Sequence, residues 1–181
     1  MNIPNLISLG RLIAVPVIVW LILKGWMTEA FWLFVAAGVS DAVDGFIAKR
    51  FSATTVLGGY LDPLADKVLL VGVYIALGQA GWLEDWLVIM VVFRDILILG
   101  GALLFHLTTQ SLSMRPIFIS KVNTVCQIGL AASILGATGL GFSLGIVRDG
   151  LIYIVAATTL VSGAVYVVTW SRQAAAMEDQ I

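Results

Sequence analysis

Four aspartates lie within 26 residues of one another in an otherwise apolar part of the chain: Asp41, Asp44, Asp62 and Asp66. A carboxylate at bilayer depth costs about 2.5 to 3.5 kcal/mol, so four unpaired ones would cost on the order of 10 kcal/mol. That sum is comparable to the whole stability of a protein domain. Cations bound between the carboxylates would offset this cost. The cluster therefore predicts a metal site.

The spacing of the aspartates suits two facing helices. Asp41 and Asp44 are three residues apart, and Asp62 and Asp66 are four apart. Both spacings place side chains on one face of a helix. A short connection should make the two helices antiparallel neighbours, so that the two pairs converge. All-oxygen ligand sets favour Mg²⁺, Mn²⁺ or Ca²⁺, and two such ions can clamp the oxygens of a phosphoryl transfer.

Small and basic residues accompany the aspartates. Gly45 and Gly58 leave room for a ligand to approach the backbone, and Lys49 supplies a positive charge for a phosphate. The simpler interpretation of one aspartate pair is a solvated helix end, and that of the small residues is helix packing. The complete spacing favours a site over that interpretation.

The composition indicates a membrane protein. Of the 181 residues, 60% are hydrophobic and 12% are charged, whereas a soluble domain is about half apolar and a quarter charged. The net charge of −1 provides no basic surface, so we expect no nucleic-acid partner. The single cysteine, Cys126, excludes a disulfide framework and a cysteine-based metal site.

Six hydrophobic segments would position the aspartates. Each is close to the roughly 20 residues that cross the hydrocarbon core, and they cover about residues 12–23, 31–47, 56–80, 86–107, 122–139 and 151–170. We predict an all-α, polytopic membrane protein with six transmembrane helices and a single domain over residues 1–181. The N-terminus lacks the pattern of a cleaved signal peptide, so we expect the first segment to be retained.

Basic residues predict the orientation of these helices. Six crossings place most of the basic residues on one side: Arg11, Lys49, Arg50, Arg115, Lys121 and Arg172. The loops on the opposite side are mainly acidic. Because basic loops stay in the cytoplasm, we expect both termini inside. The aspartates would then lie at the cytoplasmic side of a bacterial inner membrane.

At the aspartates the chain resembles the CDP-alcohol phosphatidyltransferase family. The family signature is Asp-x-x-Asp-Gly-x-x-Ala-Arg, eight residues, then Gly-x-x-x-Asp-x-x-x-Asp. This chain has Asp41-x-x-Asp44-Gly45-x-x-Ala48-Lys49, eight residues, then Gly58-x-x-x-Asp62-x-x-x-Asp66. The resemblance extends to the six-helix layout and so to nearly the whole chain. It implies metal-dependent transfer of a phosphatidyl group from CDP-diacylglycerol to an alcohol, with release of CMP.

The resemblance also implies roles for individual residues. Two ions, Mg²⁺ or Mn²⁺, would be held by Asp41, Asp44 and Asp62, and Asp66 would be the general base and a further ligand. CDP-diacylglycerol would be bound by Gly45, Ala48, Lys49, Arg50 and Gly58. Lysine at position 49 lacks the bidentate fork of the arginine in the family signature, so the diphosphate contacts should differ in detail. A homodimer is expected from the same resemblance.

The acceptor alcohol must be inferred from residues outside the signature: Arg94, Arg115, Lys121, Asn123 and Thr124. Lys121 to Gln127 resembles the Lys-x-Lys-Thr-x-x-Gln stretch of bacterial phosphatidylglycerophosphate synthases, with Asn123 replacing the second lysine. A phosphomonoester acceptor carries about two negative charges and calls for clustered cations. Because one cation is missing here, an acceptor without a phosphomonoester is favoured.

A second resemblance points the same way. The stretch from Pro116 to Thr124, together with Arg94-Asp95, is similar to cardiolipin synthases of the mitochondrial type, whose acceptor is phosphatidylglycerol. We therefore predict a cardiolipin synthase, with phosphatidylglycerophosphate synthase, which uses glycerol 3-phosphate, as the alternative. A small ion-coupled transporter is a remote alternative, since intramembrane carboxylates can form an ion path. A transporter would spread such residues along a path, whereas here they lie at one depth.

Overall fold

The computed structural model describes residues 3–51, 56–109 and 118–178, with side chains described within 9–41, 64–101 and 118–171. These ranges form six α-helices and contain no strand. The helices are α1 (Ile3–Leu23), α2 (Met27–Phe51), α3 (Val56–Gln79), α4 (Asp85–Thr109), α5 (Phe118–Leu140) and α6 (Ile146–Glu178). The predicted all-α class is confirmed, and each predicted hydrophobic segment corresponds to one helix.

The outer surface of the bundle is apolar. Large hydrophobic side chains point away from the core on several helices, including Ile13 at 61% exposure and Ile89 at 66%. An apolar surface of this kind is covered by lipid or by a partner. Among the described residues, Phe118–Leu140 and Ile146–Ser171 are long and apolar enough to cross a membrane. The prediction of six crossings stays a prediction.

Three connections share a local motif in which a glycine with positive φ is followed by an aromatic residue. The pairs are Gly25–Trp26, Gly81–Trp82 and Gly141–Phe142, with glycine φ values of 77°, 77° and 76°. In each pair the aromatic N–H donates to the carbonyl five residues earlier, at 2.9, 2.9 and 3.0 Å. This hydrogen bond closes a Schellman cap, which favours glycine because it has no Cβ to strain the left-handed conformation. The motif ends α1, α3 and α5, away from the aspartates.

Helix α1 lies between α2 and α3. It packs extensively against both of them, whereas α2 and α3 have little contact with each other among the described residues. The expected contact between α2 and α3 at their aspartate-bearing ends falls mostly on side chains outside the described set, so it stays a prediction. The apolar positions Val15, Ile18 and Ile22 of α1 are buried in the core. Burying this stripe favours inserting α1 between the two aspartate-bearing helices.

The other half of the bundle is built on α5 and α6. Helix α5 packs against α2 and α6, and α4 packs mainly against α6 and less against α3. Glycines permit close approach at these contacts. A Cβ added to Gly139 of α5 would lie 2.8 Å from the backbone of Thr28 at the start of α2, and the Thr28 hydroxyl donates to the Gly139 carbonyl at 2.6 Å. These contacts join the two halves of the bundle.

Candidate active site at the junction of three helices

Arg11 of α1 joins the two aspartate-bearing helices. Its Nη1 atom lies 2.8 Å from Oδ1 of Asp41 on α2, and the same nitrogen donates to Oδ1 of Asp66 on α3. The Arg11 side chain is 1% exposed, whereas those of Asp41 and Asp66 are 45% and 41% exposed. The guanidinium is thus internal, and the two carboxylates face outward from it.

The carboxylates open into a cavity of about 430 Å³. Its polar lining comes from Arg11, Asp41, Asp66 and Thr124. The remaining lining is apolar and comes from α2, α3 and α5: Phe34, Val35, Ala37, Gly38, Val39, Leu69, Leu70, Ile128 and Ala132. A charged group at one part of an otherwise apolar cavity suits an amphipathic ligand.

Among Arg11, Asp41 and Asp66, negative charge exceeds positive charge. One guanidinium contacts two carboxylates, so these three side chains carry one net negative charge at neutral pH. Because both Oδ1 atoms contact the same nitrogen, they are close enough to share one cation. Oxygen donors from two helices are the ligand type that hard divalent ions prefer. Among the described side chains, however, no group of three or more potential metal-binding residues is found.

The remaining signature residues lie in the same helices, with side chains outside the described set. Asp44, Gly45, Ala48, Lys49 and Arg50 belong to α2, and Gly58 and Asp62 belong to α3. Asp44 follows Asp41 by about one helical turn, and Asp62 precedes Asp66 by about one turn. The four-carboxylate metal site and the CDP-diacylglycerol contacts stay predictions.

Arg94 lies in a separate buried network. Its Nη1 donates to Oδ1 of Asp95 at 2.6 Å, and its Nη2 donates to the hydroxyls of Ser120 on α5 and Ser162 on α6. Lys67 of α3 also donates to Oδ1 of Asp95, at 2.7 Å. The described contacts of Arg94 are therefore with side chains inside the bundle. Arg94 is 3% exposed and is absent from the cavity lining, so this structure does not place it against an acceptor.

Asn123 is fully buried at the contact between α5 and α6. Its Oδ1 accepts hydrogen bonds from the hydroxyls of Thr158 at 2.8 Å and Thr159 at 2.9 Å. Its side chain is therefore directed at α6 rather than at the cavity. The role expected for it, hydrogen bonding to the acceptor, stays a prediction and is not favoured by this placement.

The other acceptor-side residues are divided between the cavity and the surface. Thr124 lines the cavity one turn before Ile128 and two turns before Ala132, on a single face of α5. Lys121 is exposed near the start of α5. Arg115 lies outside the described residues. The structure thus brings together Asp41, Asp66 and Thr124 among the predicted site residues.

Arg11 is the residue that the sequence interpretation missed. It was used there to orient the helices and was not assigned to the aspartate site. A signal was present, because Arg11 is directly followed by a long apolar run, and a charge in such a run calls for a partner. The identity of the partner could not be inferred, because it depended on α1 lying between α2 and α3.

Comparison with known proteins gives a matching family model and several curated relatives. The family model described as CDP-alcohol phosphatidyltransferase matches residues 1–174. Among curated proteins, the chain is 40% identical to "CDP-diacylglycerol--glycerol-3-phosphate 3-phosphatidyltransferase 1, chloroplastic" of Oryza sativa subsp. japonica, over 75% of this chain and 46% of the relative. It is 35% identical to "Cardiolipin synthase (CMP-forming)" of Rattus norvegicus, over 91% of this chain and 60% of the relative.

A bacterial relative is matched over nearly its whole length. The chain is 31% identical to "CDP-diacylglycerol--glycerol-3-phosphate 3-phosphatidyltransferase" of Rickettsia felis, over 91% of this chain and 93% of the relative. By contrast, the chain spans less than two thirds of the rice and rat proteins. The relatives thus carry names that specify two different acceptors.

Proposed function

Because the chain belongs to the CDP-alcohol phosphatidyltransferase family, we propose that it transfers a phosphatidyl group from CDP-diacylglycerol to an alcohol at the cavity that contains Asp41 and Asp66. The observation that carries the proposal is the meeting of these two carboxylates, from different helices, on one cationic nitrogen. Both are signature residues. They lie in a largely apolar cavity, which suits the diacylglycerol part of the donor.

The residues fit a divalent ion. The family is generally dependent on a divalent metal, and the carboxylates of Asp41 and Asp66 form a partly exposed oxygen set with net negative charge. We propose Mg²⁺ or Mn²⁺, as two ions, held by these aspartates together with Asp44 and Asp62. When bound, the ions would offset the charge of the diphosphate and hold it in place.

Asp66 is proposed as the general base. The acceptor hydroxyl oxygen forms a bond to the phosphorus of the phosphatidyl group, and the bond from that phosphorus to CMP breaks. Asp66 takes the proton that the hydroxyl loses, and CMP leaves. The exposure of Asp66 to the cavity gives an acceptor access to it. A positioned base of this kind contributes about 10² to 10⁴ in rate.

Phosphatidylglycerol is the acceptor that we propose first. Among the described acceptor-side residues, Lys121 is the one exposed cation. Arg94 is buried and donates to Asp95 and Ser120 inside the bundle. At position 123, where the resembling phosphatidylglycerophosphate synthases have a lysine, this chain has a neutral buried asparagine. One cation suits the single negative charge of a phosphodiester. The product would be cardiolipin, made in the cytoplasmic leaflet of a bacterial inner membrane by a homodimer.

Glycerol 3-phosphate is the second candidate acceptor. The support for it is the similarity to the rice and Rickettsia relatives, whose names specify this substrate. Its phosphomonoester carries about two negative charges, so it would need a cation in addition to Lys121. The product would then be phosphatidylglycerophosphate.

Acceptor competition tests both proposals. Purified protein in detergent is given CDP-diacylglycerol, Mg²⁺ or Mn²⁺, and either phosphatidylglycerol or glycerol 3-phosphate, and CMP and the lipid product are measured. Cardiolipin formed from phosphatidylglycerol supports the first proposal, and phosphatidylglycerophosphate alone supports the second. If neither acceptor gave CMP, phosphatidyl transfer to these alcohols would be excluded. A chelator should stop the reaction, and added metal should restore it.

A further inference from the structure

We infer that Arg11 is a built-in counter-cation of the aspartate site, which sets how tightly that site binds a divalent metal ion. The inference rests on the proposed function, because it assigns metal binding to Asp41 and Asp66. It adds a residue from α1, a helix outside the signature segment, to the control of the site.

The contacts of Arg11 carry the inference. Its Nη1 contacts one oxygen of each carboxylate, so an ion bound through any oxygen of Asp41 and Asp66 lies close to the guanidinium charge. The Arg11 side chain is 1% exposed, which leaves it little room to move away into solvent. Arginine is also charged at every accessible pH. The positive charge therefore stays beside the metal site.

Two possible effects of Arg11 on the site can be distinguished by whether a neutral side chain at position 11 tightens or weakens metal binding. If its charge competes with the ion, a neutral side chain at position 11 should bind metal more tightly, because the repulsion between two cations is removed. If Arg11 only holds α2 and α3 in place, the same substitution should weaken metal binding, because the two carboxylates would separate. The two models predict opposite results for a single measurement.

The experiment measures Mn²⁺ binding to the full chain in detergent, by electron paramagnetic resonance of free Mn²⁺ and without lipid substrate. The variants are Arg11→Met, Arg11→Gln and Arg11→Lys. Arg148→Met is the matched control, because Arg148 pairs with Glu84 at 3.3 Å near the starts of α6 and α4, away from the aspartates. We expect Met or Gln at position 11 to tighten Mn²⁺ binding about tenfold or more, by loss of repulsion between close charges. Lys should stay within about threefold of wild type, because its charge is retained. The control should be unchanged.

Unchanged or weaker Mn²⁺ binding by folded Arg11→Met and Arg11→Gln would overturn the inference. It would also be overturned if Arg11→Lys tightened Mn²⁺ binding as much as these two variants do. Thermal unfolding identifies any variant that does not fold. If both neutral variants fail to fold, Arg11→Lys decides, since loss of Mn²⁺ affinity by more than about threefold with the charge retained contradicts a charge effect. If wild-type protein itself binds no Mn²⁺, the proposed metal site fails, which is a separate result.

A second measurement concerns turnover. The Mn²⁺ concentration that gives half-maximal CMP release should fall in Arg11→Met, in proportion to the gain in Mn²⁺ affinity. A purely structural defect would lower the maximal rate without lowering this concentration. That result would also contradict the inference.

Discussion

Two buried arginines have opposite charge surroundings in this protein. Arg11 contacts two carboxylates that are partly exposed in a cavity. Arg94 shares one buried carboxylate, that of Asp95, with Lys67. Counted over the side chains named here, the first group carries one net negative charge and the second carries one net positive charge. A buried arginine alone therefore does not identify a site, whereas the balance of charge and the access around it do.

The two groups should also differ in their contribution to stability. Asp95 is 3% exposed and pairs with two cations, so its removal leaves buried positive charge without a counter-ion. Asp41 is 45% exposed and shares its cation with Asp66. The network around Asp95 should stabilise the fold, whereas the group around Arg11 should serve the chemistry. Substitutions can test this division.

The largest effect is expected for Asp66→Asn. If Asp66 is the general base, kcat should fall by about 10² to 10⁴ at saturating metal, while KM for CDP-diacylglycerol changes little because the amide oxygen of Asn still offers a ligand. The measurement is CMP release under saturating acceptor. Thermal unfolding should show no loss of stability, because an uncharged amide replaces a partly exposed carboxylate. Turnover at the normal rate would refute the base assignment.

Asp95→Asn should affect stability, where Asp66→Asn affects turnover. We expect a loss of about 3 to 5 kcal/mol in the free energy of unfolding, because Arg94 and Lys67 lose their shared carboxylate in a buried position. Unfolding in detergent and denaturant measures the change. Asp41→Asn should cost less than about 1 kcal/mol, or should stabilise the protein, because Asp41 is only partly buried. Equal losses of stability in Asp95→Asn and Asp41→Asn would show that the two groups do not differ in their contribution to the fold.

Asn123→Lys tests a position whose described hydrogen bonds are with α6. The hydrogen bonds from Thr158 and Thr159 would be lost and a charge would be buried, so stability should fall by at least about 1 to 3 kcal/mol. Turnover should fall together with both acceptors. The sequence alone predicts something different, a loss of cardiolipin formation with a gain of glycerol 3-phosphate use. Measuring both products decides whether position 123 acts through packing or through the acceptor.

The last comparison concerns a packing change distant from both arginines, with no expected effect on metal binding. Gly139→Ala would place a Cβ 2.8 Å from the Thr28 backbone, which should cost about 1 to 3 kcal/mol by overpacking. Gly129→Ala on the same helix is the control, because nothing lies within 4 Å of its added Cβ. It should be neutral or slightly stabilising. Unfolding measurements on the pair provide the baseline for a pure packing defect, with Mn²⁺ affinity unchanged in both.

Predictability from the sequence differed between the helices and the site. The six helices could be predicted because apolar runs of membrane-spanning length are a local property. Asp41 and Asp66 could be chosen because carboxylates in such runs are rare and costly. The ion pair between Arg94 and its sequence neighbour Asp95 was predictable, because it is local. The contacts of Lys67 and Ser162 with this pair were not, because they come from α3 and α6, which are distant in the sequence.

The sequence by itself determined the all-α class, the aspartate signature and the family, because each depends on residue types at short spacing. Only the tertiary structure decided that α1 lies between α2 and α3, that Arg11 joins Asp41 to Asp66, and that Asn123 faces α6. The physical reason is that helices of this kind have apolar surface on several sides. Which side is buried against which neighbour depends on packing among all six helices, and no local pattern specifies it.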